Sequence, residues 1–371
     1  MSPIDRRMFY HVNWPLIWII GGLFLVGVLN LYSASGVRLG DGMQVENFYQ
    51  KQLIWGLMGL LGMAAFMTFD YRRLSAVAWP LYAVTLIFLL AVPFAGKTIS
   101  GARRWLDFGL FSFQPSELAK FAVLLVGARL LSEEGERLGL KELSFVLLLG
   151  FVPALMIIKQ PDLGTGMLVL LLLGGLVLYR GIKPWLFRTL CVVVPTLTPL
   201  LWFVLKDYQK RRILAFLDPA TDPLGSGYHI LQSEIAVGSG RLFGKGFLAG
   251  TQSQLRFLPE KHTDFAVAVF GEEWGFFGMM VLLSLFCAFL YQIASVARDA
   301  KDPFGSYLAA GVFFYFFWQI LINMGMVMGL MPVVGVPLPF VSYGGSATLV
   351  NFGLVGLVLN VSMRRFLFKQ T

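Results

Sequence analysis

The chain has 371 residues, of which 57% are hydrophobic and only 14% are charged. So small a charged fraction cannot cover the surface of a water-soluble protein of this length, which excludes an arrangement of two or three soluble domains. The formal net charge of +9 is scattered between apolar runs, so it indicates basic loops beside anionic lipid head groups and argues against a nucleic-acid partner.

Apolar runs long enough to cross a bilayer as a helix, which takes about 20 residues, occur along the whole chain. Nine are clear, at 15–33, 53–69, 75–94, 143–158, 166–181, 185–205, 273–296, 307–331 and 347–363. A tenth, at 113–131, is weaker because Glu117 and Lys120 lie near its start. The first run follows Arg6 and Arg7 as in a signal peptide, but it is longer than a typical signal, so we interpret it as a retained helix.

These runs predict an all-α polytopic membrane protein with about ten transmembrane helices, forming one domain over residues 1–371. Ten spans bring both termini to the same side. The connections on that side hold 15 Lys and Arg residues, against six in the short connections of the other side. The positive-inside rule therefore predicts cytoplasmic N- and C-termini. The longest connection, about 206–272 between spans seven and eight, is then one large extracytoplasmic loop.

This loop has local patterns of its own. Residues 206–219 mix basic and apolar side chains, which is typical of a segment lying at a membrane surface. Residues 227–240 predict a short amphipathic helix that ends at glycine. Elsewhere, Cys191 and Cys287 lie inside apolar runs and the chain has only three His, so a disulfide framework or a zinc site is not indicated.

The unusual polar residues cluster on the predicted outer side. They lie in GARRWLDFG (101–109), FQPSELAK (113–120), KQPDLGTG (159–166), RFLPEKHTDF (256–265) and MPVVGVPLPFVSYGGS (331–346). Some have a purely structural explanation, because Glu117 and Asp162 fit first helical turns and Glu117 could pair with Lys120. Charged groups inside spans are costly and usually functional, however, which favours a cavity role for Glu117 and Lys120.

The segment at 331–346 has three prolines and three glycines in an otherwise apolar stretch. Irregular backbone at membrane depth is tolerated only where protein or a water-filled cavity satisfies its polar groups. We therefore predict a re-entrant segment that lines an outward cavity, with Ser342 and Tyr343 as candidate hydroxyl donors there.

Together and in this order, these segments resemble the SEDS family of bacterial cell-wall polymerases. The resemblance covers essentially the whole chain, is strongest over residues 206–275, and shows no departure at the motif positions. GTQSQLRFLPEKHTDF and the short N-terminal tail resemble the elongation-type members more than the division-type members.

The resemblance implies a peptidoglycan glycosyltransferase that polymerises lipid II during elongation, on the outer face of the bacterial cytoplasmic (inner) membrane. It implies that Asp264 is the essential residue and that Arg104, Glu117, Lys120 and Asp162 line or support the cavity. It also implies a class B penicillin-binding protein, a transpeptidase, as partner, together with other membrane proteins of the elongation machinery.

The chemistry of such a transfer needs few acid–base groups. A diphosphate is already a good leaving group, so it needs cations rather than the protonating acid of a glycosidase. The attacking 4-hydroxyl is a very weak acid and needs one general base, which predicts Asp264 in that role, inversion at the sugar and no covalent nucleophile. The candidate diphosphate partners are Arg104, Lys120, Lys245 and Lys261. A divalent cation such as Mg²⁺ or Mn²⁺ could serve the same purpose.

Three alternatives stay open from the sequence. A lipid II flippase or other transporter would share the ten spans, interrupted helices and buried charges, but it should have polar groups along a path from both faces. The others are a non-catalytic scaffold for the penicillin-binding protein and a division-type polymerase of the same family.

Overall fold

The computed structural model describes residues 12–35, 47–99, 102–107, 109, 112–133, 137–203, 205–223, 225–255, 257–258 and 260–365. Within these ranges the chain forms thirteen α-helices and a small antiparallel sheet. Among the described helices, eight are long and apolar enough to cross a membrane. The predicted all-α polytopic membrane fold is therefore confirmed.

The helices follow the predicted apolar runs. The first seven are α1 (Trp14–Ala34), α2 (Phe48–Thr68), α3 (Arg72–Ala95), α4 (Pro115–Leu131), α5 (Leu140–Lys159), α6 (Leu163–Arg180) and α7 (Pro184–Leu197). Three shorter ones, α8 (Asp207–Leu217), α9 (Ser226–Ser239) and α10 (Thr251–Gln254), lie in the long loop. The last are α11 (Ala266–Asp299), α12 (Pro303–Val327) and α13 (Gly345–Arg364). Helices α4 and α7 occupy the two predicted spans that are too short to be among the eight.

Proline and aspartate fix several helix starts. Pro115 and Pro303 occupy first helical positions, where a missing N–H leaves no bond unmade. Asp162 caps α6 by accepting the N–H of Thr165 at 3.1 Å, and this bond satisfies one of the unpaired donors of the first turn. The predicted position of Asp162 at the start of a helix is therefore confirmed.

A three-stranded sheet lies between α3 and α4. Strands β1 (Lys97–Ile99), β2 (Ala102–Asp107) and β3 (Ser112–Phe113) pair antiparallel in that order. The pairing opposes Lys97 to Trp105 and Leu106 to Phe113. This sheet carries Arg104 on its central strand, at the end of α3 and the start of α4.

The centre of the bundle is formed by α12 and α13. Their apolar segments are 72% and 78% buried, against 22% for α2 and for α11, so α2 and α11 present most of their surface to lipid. Phenylalanines tie the centre together: the ring of Phe316 lies 4.9 Å from that of Phe289 and 5.7 Å from that of Phe340. Phe340 belongs to the irregular segment 331–344, which is thereby anchored in the core.

The outer end of the eighth span differs from the prediction. The apolar run begins at 273, but α11 begins at Ala266, so the long connection is shorter than the predicted 206–272. Glu272 and Glu273 hide the helix start from a hydropathy analysis, yet they are 0% and 1% exposed because they are buried in protein rather than in lipid. The helix is also interrupted at Gly275, whose φ of 63° is non-helical.

Loop backbone satisfies the polar groups freed by this interruption. The N–H groups of Phe276 and Phe277 donate to the carbonyls of Arg241 and Leu242 at 2.8 and 3.1 Å. In return, the N–H of Lys245 donates to the carbonyl of Glu272 at 3.0 Å. The turn at 240–246 is therefore fastened to α11, as irregular backbone at membrane depth requires.

The basic connections share one end of the bundle. Arg72 pairs with Asp302 at 3.5 Å, and Arg365 pairs with Asp299 at 2.8 Å. These pairs join the segments before α3, between α11 and α12, and after α13. The start of α3, the connection between α11 and α12, and the residue after α13 therefore lie together at one end of the bundle.

Candidate active site

Segments that are far apart in the sequence meet at a cavity of about 380 Å³. The sequence-predicted site residues that line it are Arg104, Glu117, Asp162, Asp264 and Tyr343. They come from β2, α4, the start of α6, the turn before α11 and the irregular segment before α13. The prediction that the polar segments form one site is therefore matched by their positions.

Asp264 is held between α12 and the irregular segment. Its backbone carbonyl accepts from Nδ2 of Asn323 at 2.9 Å, and the same Nδ2 donates to the carbonyl of Val336 at 2.7 Å. Asn323 is fully buried. A methyl group placed on Gly335 would lie 3.4 Å from Oδ2 of Asp264, and Gly335 has a φ of +75°. Glycine at 335 thus permits the positive φ of the turn that brings this backbone beside the carboxylate.

The turn that carries Asp264 closes on Glu260. The carbonyl of Glu260 accepts the N–H groups of Thr263 and Phe265 at 3.1 and 3.3 Å. Oε2 of Glu260 accepts from the hydroxyl of Thr263 at 3.1 Å. Glu260 has a φ of 46°, which is uncommon for a residue other than glycine and recurs at functional sites.

The surroundings of Asp264 shift its proton affinity upward. Burial, followed by the negative charge of Glu260, raises the pKa of Asp264 to about 7, and Asp162 adds to the shift. Arg212 and Arg104 act in the opposite direction. A carboxyl group with a pKa near neutrality is suited to accept a proton in catalysis.

Arg104 and Asp162 meet at the start of α6. The Nε of Arg104 donates to the carbonyl of Gln160 at 3.2 Å, and its Nη2 donates to the carbonyl of Pro161. Oδ2 of Asp162 accepts from Nε2 of Gln114 at 3.4 Å. These contacts fix the position of the guanidinium at the wall of the cavity.

Glu117 and Lys120 form a buried pair behind this wall. Their Oε1 and Nζ atoms are 2.8 Å apart, and the ammonium also lies 5.1 Å from the ring centroid of Tyr315 on α12. The sequence-predicted pairing is therefore present. Oε2 of Glu117, a residue that lines the cavity, has no hydrogen-bond partner among the described residues.

Three of the predicted site residues lie elsewhere. Nζ of Lys245 pairs with Glu272 at 2.7 Å, and Nζ of Lys261 donates to the carbonyl of Ser253 at 2.7 Å. The hydroxyl of Ser342 accepts the N–H of Leu338 at 2.9 Å and is occupied inside the irregular segment. These three side chains do not lie on the cavity wall. Each of them binds another part of its own loop or segment instead.

The sequence analysis missed Arg212 and Glu260. Both line the cavity with Asp264. We interpreted the basic cluster around Arg212 as a membrane-surface segment, and α8 is indeed amphipathic. Arg212 and Arg104 both line the cavity, so two guanidinium groups lie near one another. Burial, followed by the positive charge of Arg104, lowers the pKa of Arg212. The available signal was a basic cluster in the same loop as Asp264.

The carboxylates do not build a protein-only metal site. Within the described ranges, no group of three or more His, Cys, Asp or Glu side chains could hold a metal ion. Magnesium, however, is commonly held by one or two carboxylates together with substrate phosphate oxygens. The unpartnered Oε2 of Glu117 is compatible with that mode of binding.

Comparison with known proteins agrees with this geometry. Residues 14–366 match the model of the FtsW/RodA/SpoVE cell cycle proteins. The chain belongs to the FtsW/RodA/SpoVE family. The SEDS resemblance is thereby confirmed, because the match extends over nearly the whole chain.

Members of this family with similar sequences are peptidoglycan glycosyltransferases. The chain is 41% identical over 363 residues to the peptidoglycan glycosyltransferase MrdB of Escherichia coli K12, covering 97% of this chain and 96% of MrdB. It is 39% identical over 353 residues to the probable peptidoglycan glycosyltransferase FtsW of Geobacter metallireducens, covering 91% of each chain. The predicted enzyme class is confirmed.

Family members of known structure have the same fold. A chain from a peptidoglycan synthase complex that coordinates polymerization and crosslinking superposes with a TM-score of 0.81 at 30% identity, over 96% of this chain and 98% of that chain. The rod shape-determining protein RodA of Thermus thermophilus gives a TM-score of 0.70 at 28% identity over the same shares.

Proposed function

We propose that this family member is an elongation-type, RodA-like enzyme that polymerises lipid II into glycan strands, with Asp264 as the general base. The observation that carries the proposal is a carboxylate with a pKa near 7 that shares a cavity with Arg104 and Arg212. The 41% identity to MrdB supports the elongation type.

The reaction transfers the growing chain from undecaprenyl diphosphate to the 4-hydroxyl of the acceptor sugar. Asp264 accepts the hydroxyl proton as the oxygen forms its bond to the anomeric carbon of the donor. The bond between that carbon and the diphosphate oxygen breaks, and its electron pair leaves with the diphosphate. A single displacement of this kind inverts the anomeric centre and needs no covalent nucleophile.

The two arginines are the best-placed partners for the diphosphate. Arg104 and Arg212 both line the cavity, and a guanidinium can bind phosphate oxygens through two parallel hydrogen bonds. Lys245 and Lys261 are engaged by Glu272 and by a loop carbonyl, and Lys120 is engaged by Glu117. We therefore assign charge neutralisation of the leaving group to the arginines and a supporting role to Lys120.

A divalent cation, Mg²⁺ or Mn²⁺, remains a proposal. Glu117 is the residue that would hold it, together with diphosphate oxygens of the substrate. Such an ion would add Lewis-acid stabilisation of the leaving group. With or without this ion, Asp264 accepts the proton and the two arginines orient the diphosphate.

We further propose that the cavity opens to the outside of the bacterial cytoplasmic membrane. The basic face, with the ion pairs of Arg72 and Arg365, would then be cytoplasmic, in line with the positive-inside rule. The partner would be a class B penicillin-binding protein, whose transpeptidase crosslinks the new strand. The similarity to a chain from a synthase complex that coordinates polymerization and crosslinking supports this pairing.

Substitution of the base tests the proposal. Asp264→Asn keeps the shape of the side chain but cannot accept the proton, so polymerisation of labelled lipid II should fall by at least about 100-fold. The assay uses purified protein with its penicillin-binding partner and reads glycan ladders on a gel.

The matched control is Asp299→Asn, at the opposite end of α11, where the carboxylate pairs with Arg365 at 2.8 Å. This variant should polymerise at the wild-type rate. Glycan ladders of wild-type intensity from Asp264→Asn would rule out the proposed base.

A further inference from the structure

Resting on the proposed role of Asp264, we propose that Glu272 is a positioning residue for catalysis. It would act at a distance, through α10 and Lys261, by holding the turn at 260–265 against the cavity. Glu272 lies on α11, eight positions after Asp264 in the chain.

The carboxylate of Glu272 organises the loop around itself. Its Oε1 accepts the N–H of Thr251 at 2.7 Å and the N–H of Gln252 at 3.0 Å. Its Oε2 accepts the N–H of Ser253 at 3.4 Å, and Nζ of Lys245 donates to Oε1 at 2.7 Å. The side chain is 0% exposed, and these donors together offset the cost of burying its charge.

Hydrogen bonds continue from α10 to the turn that carries Asp264. The carbonyl of Ser253 accepts from Nζ of Lys261 at 2.7 Å, and Lys261 stands three residues before Asp264. The carbonyl of Gln252 accepts the N–H groups of Phe257 and Leu258 at 3.1 and 3.3 Å. Gln252 and Ser253, whose N–H groups Glu272 accepts, therefore position the next part of the loop through their carbonyls.

The neighbouring Glu273 has a different set of contacts. It is buried to the same degree, but its Oε1 accepts from the hydroxyl of Ser33 on α1. Glu273 thus joins α11 to α1 and also accepts from the backbone of Leu248 and Gly250 before α10, whereas Glu272 binds the N–H groups of α10 itself. Adjacent and equally buried, the two glutamates form a matched pair for substitution.

The position of the turn determines the electrostatic surroundings of Asp264. The charged groups that face it are Glu260 on the same turn, Arg212 on α8, Asp162 at the start of α6 and Arg104 on β2. Burial is the largest cause of the raised pKa of Asp264, so a turn displaced from the cavity wall would expose the carboxyl group and lower that pKa. A misplaced base also reacts more slowly, since about 1 Å of displacement can cost up to 100-fold.

The test is a double-mutant cycle of Glu272→Gln and Lys261→Met, with Glu273→Gln as the burial-matched control. Glutamine has a single acceptor oxygen and would place an amide NH₂ group near the N–H donors of α10. We expect Glu272→Gln to lower kcat about tenfold with little change in KM. We also expect it to move the ascending limb of the pH–rate profile to lower pH.

The double variant should be no slower than Glu272→Gln alone, because both changes break the same chain of contacts. Glu273→Gln should leave the ascending limb where it is, whatever its thermal stability. Should Glu272→Gln fail to fold, Lys261→Met alone must still show the lower kcat and the displaced limb.

Additive effects in the cycle, or an unmoved pH limb in both single variants, would overturn the inference. Asp264→Asn separates this result from a failure of the proposed function. If Asp264→Asn is active, Asp264 is not the base and the proposed function of this residue fails. If Asp264→Asn is inactive and the cycle is additive, only the positioning role of Glu272 fails.

Discussion

The pKa of Asp264 results from opposing effects of burial and of neighbouring charges. Burial and two acidic neighbours, Glu260 and Asp162, disfavour the charged form, whereas Arg212 and Arg104 favour it. Burial is the largest effect, which is why the pKa rises to about 7 rather than falling. At that value a substantial fraction of the base is ionised at neutral pH, and the proton that it accepts is still held firmly.

The rate of polymerisation should depend on pH accordingly. Only the ionised Asp264 accepts a proton, so kcat should rise as the pH increases through about 7 and level off above it. The protonated form is favoured by folding, so the stability contributed by Asp264 is present at low pH and is lost as the pH rises through the same value. Initial rates of polymerisation measured from pH 5 to 9 locate this rise, the ascending limb of the pH–rate profile.

Glu260→Gln is the informative companion of that profile. Removing its negative charge should lower the pKa of Asp264 and shift the ascending limb to lower pH. A wild-type rate that is flat between pH 5 and 8 would contradict the assignment of the limb to Asp264.

Among the elements, the irregular segment 331–344 has the most direct effect on the site. Phe340 anchors it in the aromatic core, Asn323 binds its backbone at Val336, and Gly335 brings it against Asp264. The segment therefore transmits the rigidity of α12 to the cavity wall. Its prolines and glycines, which disfavour a helix, leave the backbone free to make this turn.

Gly335→Ala tests this role of the segment. An alanine at a φ of +75° is strained by about 1–2 kcal/mol, and the segment can relieve that strain by moving away from Asp264. Polymerisation should fall by about tenfold, in line with small displacements of catalytic groups. Rates and thermal unfolding are measured on the same preparation.

Gly181→Ala provides the comparison, since Gly181 has a φ of +91° and lies after α6 on the opposite face. It should lower thermal stability to a similar degree and leave the rate unchanged. Equal losses of rate in the two variants would mean that strain alone, and not the position beside Asp264, reduces activity.

At the scale of the whole molecule, the two ends of the bundle differ in kind. One end carries the cavity that contains Asp264 and its irregular backbone. The other carries ion pairs such as Arg72 with Asp302 and Arg365 with Asp299, and a separate charged cavity lined by Glu133, Arg137 and Arg180. A transporter should have polar groups along a path from both faces. The relative MrdB is a peptidoglycan glycosyltransferase, and the position of Asp264, Arg104 and Arg212 at one end of the bundle fits a polymerase that works on one membrane face.

Cysteine labelling tests the orientation of these ends. In a variant with Cys191 and Cys287 replaced by serine, a membrane-impermeant maleimide should label Ala220→Cys, between α8 and α9, in intact spheroplasts. Glu133→Cys, at the end of α4, should react only after permeabilisation. The reverse pattern would place the cavity in the cytoplasm and exclude the proposed outward site.

The sequence located the membrane spans, apart from the outer start of α11, since crossing a bilayer requires long apolar runs that no tertiary contact can replace. The segments that contain Arg104, Glu117, Asp162, Asp264 and Tyr343 also stood out, because charges, hydroxyls and broken helices are rare at membrane depth. The family resemblance then implied the roles of Asp264 and the other charged residues. The enzyme class followed from the family motifs, which occur together and in the same order along the chain.

Only the tertiary structure decided which charges face the cavity and which serve the loop. Lys245 and Lys261 look like substrate cations in the sequence, but Glu272 and the carbonyl of Ser253 bind them. Arg212 looks like a membrane-surface residue, but the folding of α8 brings it beside Arg104 and Asp264. Partner choice among charged groups depends on distances in space, and a linear sequence does not contain them.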